Sequence, residues 1–151
     1  MPGIVSSCRE RNVVSHTDYD FLYEKAAAIP AWKHIGAVVA KVEEGYAEVE
    51  LTFVPQLANY LGVLQGGFVT AIADAAGGWA LATLIERESL ITTVELKVNF
   101  LLPIQQDVVA KGRVLRCGTK IGVSSIEVCL KDGDVTAAGI GTYYLKRPNS
   151  S

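Results

Sequence analysis

The segment Gly66 to Ile85, GGFVTAIADAAGGWALATLI, constrains this chain more than any other: it is apolar almost throughout and carries one ionisable side chain, Asp74. Its length is about that needed to cross a bilayer. A lipid-facing reading fails because Asp74 sits in mid-segment, several glycines dilute the hydrophobicity, and the sequence beyond it alternates with the period of a sheet. The segment therefore reads as a helix buried inside a soluble protein, and a helix that is hydrophobic on nearly every side needs cover on nearly every side. A curved antiparallel sheet supplies much of that cover and leaves one side for a further partner. Gly77 and Gly78 each cost about 1 kcal/mol relative to Ala in a helix interior, which implies close approach by a neighbour. A second copy packed across the helix accounts for them, and so does a local packing or kink role.

The flanking sequence provides the sheet. Asp18 or Asp20 can cap a short helix through FLYEKAAAI, which Pro30 is expected to stop. An apolar run from His34 to Lys41 follows, then a polar turn at Glu43, Glu44 and Gly45. From Tyr46 to Val54, Ala47, Val49, Leu51 and Phe53 alternate with Glu48, Glu50 and Thr52, the signature of a strand with one face on a core. Pro55 ends it. After the long helix, Thr92, Val94, Leu96, Val98 and Phe100 alternate with polar residues up to Pro103, predicting another half-buried strand. Runs over 107–117, 119–131 and 135–146, separated by Gly118 and by Asp132-Gly133-Asp134, complete an expected antiparallel meander.

With 151 residues, half of them hydrophobic, the chain can support one sizeable core. Its formal net charge of −2 and scattered basic residues point away from nucleic acid and from anionic membranes, towards small molecules or copies of itself. Cys8, Cys117 and Cys129 are too few and too widely spaced for a disulfide framework or a zinc site, and no export signal is recognisable, so a reducing cytoplasm is the simplest location. Neither a metal cluster nor a nucleotide-binding glycine motif appears, and no cofactor is expected.

Two groups of residues carry candidate chemistry. Asp74 has no basic residue within a helical turn, so it either faces a water-filled seam as a structural carboxylate or acts in a cleft as general base or nucleophile. Gln65-Gly66-Gly67 stands at the expected helix start, where the first N–H groups lack intrahelical partners and suit a developing oxyanion. A Gly-Gly pair at such a place equally serves as a simple turn.

The stretch N59-Y-L-G-V-L-Q65-G-G-F-V-T-A-I-A-D74 resembles the signature of the PaaI-type hotdog thioesterases, in which H-G-G opens the central helix and an Asp follows at this spacing. T92-T-V-E-L-K-V-N-F-L-L-P103 is similar to the next strand of that family, and the likeness extends over roughly Ala31 to Lys146. The resemblance implies an α+β hotdog fold, a curved antiparallel sheet wrapped around a long central helix, with a short N-terminal helix added. It divides the chain into an N-terminal extension at 1–30, a hotdog domain at 31–146 and a disordered tail at 147–151. It also implies hydrolysis of an acyl-CoA at a site built between subunits of a homodimer or a tetramer. Carried over residue by residue, Asp74 becomes the catalytic carboxylate, the Gly67 or Gly66 amide polarises the thioester carbonyl, Asn59 helps position the attacking water or the carboxylate, and Thr93 falls where some members have a hydroxyl that supports the water. Gln65 stands where the family has His; its amide can orient a substrate but cannot exchange a proton.

From Gly67 to Asp74 the helix rises about 10 Å, so one carbonyl cannot touch both groups of the same chain. The donor of one subunit must meet the Asp of another if both act, giving two equal sites per dimer. Arg113, Arg116 and Lys120 flank the Gly118 turn and are candidates for the CoA phosphates, or simply a solvated rim. Two further readings stay open: an acyl-CoA-binding hotdog protein without turnover, and a hotdog hydratase or dehydratase. The absence of a separate DNA-binding segment weighs against the first as a regulator, and the absence of His from the helix or its approach weighs against the second.

Overall fold

The computed structural model describes residues 13–14 and 16–148; Cys8 and residues 149–151 of the expected tail lie outside them. The elements follow in the order α1 (Asp20–Ala27), α2 (Pro30–Ile35), β1 (Ala37–Glu43), β2 (Tyr46–Leu51), a 3-10 turn at Pro55–Leu57, α3 (Gly66–Ala82), β3 (Leu90–Phe100), β4 (Val108–Cys117), β5 (Ile121–Leu130) and β6 (Val135–Lys146). All strand pairs are antiparallel, and the six-stranded sheet has the order β1-β2-β4-β5-β6-β3. This is the α+β hotdog arrangement, with α3 against the sheet.

Two expectations are corrected. Pro30 does not simply end a helix; it opens α2 as a first-turn residue, where its missing N–H costs nothing, and the extended Ile29 before it supplies the conformation that proline requires. The first strand consequently starts at Ala37 rather than near His34, after Gly36 closes α2 at φ 77° and donates its N–H to Trp32 O. The strands after α3 are also not a simple meander. Only β4, β5 and β6 are, while β3 crosses to pair with β6 and becomes an edge. Of the side chains that alternation turned to the core, Leu96 and Val98 are half-buried against it, whereas Val94 and Phe100 are 60% and 57% exposed, as is Leu90 at 60%.

The core lies between α3 and β2, β4 and β5. Val69, Ile72, Ala73, Ala76, Gly77, Ala80 and Leu81 form the buried side of α3, packed on Val49, Leu51, Ala110, Ile126 and Val128 among others. The small residues on this side let the helix sink close to the sheet. A Cβ on Gly112 of β4 would fall well under 3.0 Å from the Ala76 carbonyl and the Gly77 amide. Ser124 Oγ of β5 donates to Gly77 O at 3.0 Å, fixing the same contact with a buried hydrogen bond. At the other end of α3, Thr83 accepts the Gly45 N–H at 2.7 Å, tying the β1–β2 turn, where Gly45 has φ 71°, to the helix. The opposite side of α3, running through Gly67, Ala71, Asp74, Gly78 and Ala82, is only partly covered or exposed.

Because the obstruction at Gly112 is backbone, Gly112→Ala is expected to push helix and sheet apart and to cost about 3 kcal/mol, lowering Tm by roughly 10 °C. Gly78→Ala is the internal control. Its Cβ would meet only Tyr143 Cε1 at 3.7 Å, so the gain in helix propensity should leave Tm unchanged or raised. Thermal unfolding followed by circular dichroism checks both, and an unchanged Tm for Gly112→Ala would contradict the packing described.

Candidate active site

The start of α3 is held by a compact loop. Asn59 Oδ1 accepts the N–H groups of Leu61 at 2.9 Å and Val63 at 3.4 Å, an Asx-type turn completed by Gly62 at φ 74°. Backbone bonds from Gln65 N to Leu57 O at 2.9 Å and from Leu64 N to Ile104 O at 2.8 Å then aim the chain into the helix. Gln65 is the N-cap, and its Oε1 accepts the Gly67 N–H. Of the two candidate oxyanion donors, Gly67 is therefore occupied. Gly66 N–H has no acceptor among the described residues.

Asp74 lies two turns further on, half-buried on the partly open side of α3. Its Oδ1 accepts the Thr93 hydroxyl at 2.8 Å, and Oδ2 has no donor among the described residues. Tyr143 Oη donates to the backbone carbonyl of Asp74 at 2.9 Å. Burial first, and then the neighbouring Asp74 charge, pushes the Tyr143 phenol well above its usual range, so it stays a neutral donor. Thr93 and Tyr143 are direct partners across β3 and β6, and the β3 ladder shifts register just after Thr93, the kind of bulge that re-aims a side chain. Sequence reasoning missed the role of Tyr143. The available signal was a core-facing strand tyrosine whose hydroxyl needs a partner, together with Gly77 and Gly141, where a Cβ would clash with that ring.

The expected site residues fall into three places. Asp74 and Thr93 line a cavity of about 430 Å³ with Gly78, Trp79 and Tyr143. Asn59 and Gly66 line another of about 310 Å³, with Phe100, Leu102 and Pro103. The two cavities share no lining residue. Arg113, Arg116 and Lys120 line neither. Arg113 alternates with the buried Gly112 and Val114, so it occupies the sheet face turned away from α3, where its guanidinium lies 4.8 Å over the Tyr46 ring. The cations at the Asp74 cavity are instead Lys25 and Arg87. Arg147, expected in the tail, is fixed by Glu86 at 2.8 Å and Gly118 O at 3.3 Å. Neither His16 nor His34 lines the Asp74 cavity.

Chemically, this is a carboxylate with one oxygen anchored and the other open to a largely apolar cavity, and, separately, an unoccupied amide in the first turn of a helix. The first can take a proton from water or attack a carbonyl. The second can stabilise negative charge on oxygen.

Residues 61–137 match the Thioesterase superfamily. A protein of Saccharolobus solfataricus named "Putative esterase" is 34% identical over 127 residues, 83% of this chain and 89% of its own length. A second from that organism, of the same name, is 31% identical over 78% of each chain. A thioesterase family protein from Silicibacter pomeroyi superposes with a TM-score of 0.79 at 26% identity, over 85% of this chain and 97% of that one. The E. coli PaaI protein from the phenylacetic acid degradation operon shares the fold with a TM-score of 0.76 at 21% identity, over 83% of this chain and 90% of that one.

Proposed function

Because this chain belongs to the thioesterase superfamily, we propose that it hydrolyses acyl-CoA thioesters at a site that two copies build together. The observation carrying the shared site is the separation within one chain of Asp74 and Thr93 from Asn59 and Gly66, which line different cavities. Two surfaces are suited to the second copy. One is the eleven-residue β3 edge with its exposed Leu90, Val94 and Phe100, which a lone chain would leave as a template for pairing. The other is the partly uncovered side of α3 that carries Asp74. Residues 1–30 form an extension to the hotdog domain, and the buried thiols Cys117 and Cys129 suit a reducing compartment.

In this reaction the acyl carbonyl sits against the Gly66 N–H of one copy and faces Asp74 of the other. Asp74 Oδ2 takes a proton from water as the water oxygen bonds to the acyl carbon, and the carbonyl electrons move onto the oxygen held at the helix start. Collapse of that oxyanion breaks the C–S bond, and the departing sulfur takes up the proton. The variant route, in which Asp74 itself attacks and water then cleaves an anhydride, uses the same residues. Thr93 holds Asp74 in place, Asn59 shapes the approach to Gly66, and Gln65 caps the helix and orients rather than exchanging protons. Arg113, Arg116 and Lys120, which line neither cavity of their own chain, would meet the nucleotide end of CoA only at a site reached from another copy.

A panel of acyl-CoAs with a free-thiol reagent tests this reading. Stoichiometric thiol release is expected for at least one acyl group. Saturable binding of the panel with no thiol released would identify a binding protein instead.

A further inference from the structure

Resting on that reading, we infer that the cavity beside Asp74 is the acyl tunnel, that it takes an apolar alkyl or arylalkyl group of medium length, and that α1 closes its far end with Phe21.

Asp74 and Thr93 make one part of the cavity polar and Lys25, Glu86, Arg87 and Ser89 another, whereas Ala75, Gly78, Trp79, Ala82 and Ile91 give an apolar stretch beside Asp74. That apolar stretch favours a hydrocarbon over a polar group next to the thioester. Gly78 is the telling residue. Gly77 and Gly112 are required by close contacts, but a Cβ on Gly78 would meet only one Tyr143 ring atom at 3.7 Å. A glycine in mid-helix is less favourable than Ala, and packing within this chain does not ask for it. Its effect is to leave the cavity wall bare beside the catalytic carboxylate.

The far end is set by the N-terminal extension. Phe21, Leu22 and Lys25 of α1 line the cavity. The segment leading into α1 is bonded to the end of the α3 region, with Val14 N to Leu84 O at 2.8 Å and His16 Nε2 to Ile85 O at 2.7 Å. Lys25 Nζ donates to Arg87 O at 3.2 Å, and the Arg87 guanidinium covers the Phe21 ring at 4.3 Å while pairing with Asp18 at 3.5 Å. This set of bonds makes α1 a fixed wall, and Phe21, half-buried between the cavity and Arg87, is its replaceable part. From Asp74 to Ala82 the helix rises about 12 Å. The volume of about 430 Å³ lies near the lower limit for ligand cavities. Both dimensions suit a medium-length acyl group, with α1 set against the far end.

The test compares kcat/KM for acyl-CoAs from acetyl to palmitoyl in the wild type, Gly78→Leu and Phe21→Ala. The wild type should favour a medium acyl group. Gly78→Leu, which fills the tunnel with a good helix former, should lower the decanoyl-to-butanoyl ratio at least tenfold, on the scale of about 10- to 200-fold per methylene in a tight pocket. Phe21→Ala should raise the palmitoyl-to-decanoyl ratio about fivefold or more. Binding of decanoyl-CoA by calorimetry, with and without Gly78→Leu, separates this inference from catalysis. Hydrolysis with unmoved ratios in both folded variants overturns the tunnel and leaves the thioesterase reading intact. Binding that weakens about tenfold in Gly78→Leu without any hydrolysis keeps the tunnel and overturns the reaction. If decanoyl-CoA is neither bound nor hydrolysed, both fall. Should Gly78→Leu fail to fold, Phe21→Ala alone decides: an unchanged length profile contradicts the role of α1.

Discussion

Asp74→Asn is expected to lower acyl-CoA hydrolysis at least about a hundredfold, the usual scale for removal of a general base, while folding and acyl-CoA binding persist. The substitution is nearly isosteric. Its amide oxygen can still accept the Thr93 hydroxyl, and the Tyr143 bond goes to the Asp74 backbone, so both anchors survive. What is lost is an oxygen able to take a proton or attack a carbonyl. An unchanged Tm, an unchanged affinity for acyl-CoA by calorimetry and a collapse in kcat together mark a group acting on the reacting atoms. Retained turnover in the purified variant would remove Asp74 from the chemistry and leave it a structural carboxylate.

How much of this was readable before the structure depends on the range of the interaction concerned. The long apolar segment and the alternation in Tyr46–Leu51 are local, and Ala47, Val49 and Leu51 are indeed fully buried. The alternation runs on to Phe53, but the strand stops at Leu51, and the Phe53 N–H is taken by Asp107 at 2.9 Å, a partner 54 residues away. The β3 pattern was equally visible, but its phase was not: the register shift between Thr93 and Glu95 breaks the alternation, so Leu96 and Val98 pack on the core while Val94 is exposed. Pro30 was legible as a boundary but not as the start of another helix, since proline suits both places.

The site divides in the same way. The spacing from Gly66 to Asp74 placed both on α3, and the rise of a helix separated them. Tyr143 could not be found, because its bond to Asp74 follows from the Thr93–Tyr143 register across strands distant in sequence. The position of Arg113 was available from the alternation of Val108, Ala110, Gly112 and Val114, which puts Arg113 on the other face. Proximity to a turn suggested phosphate contacts, but the side of the sheet decides what a residue can reach within its own chain.

Whether two copies share one site is tested most directly by complementation between Asp74→Ala and Gly66→Pro. Proline at Gly66 deletes the proposed donor at the first position of α3, where proline is favoured, and Gln65 before it is already extended at φ −64° and ψ 132°. Each variant alone should be nearly inactive, because every site in its dimer lacks one essential group. In a mixed dimer the two defects fall in the same site and leave the other whole, as two-fold symmetry requires. Random reassociation makes about half the dimers mixed, each with one good site of two, so activity should return to roughly a quarter of wild type. Mixtures verified to contain heterodimers that stay as inactive as their parents would contradict the shared site.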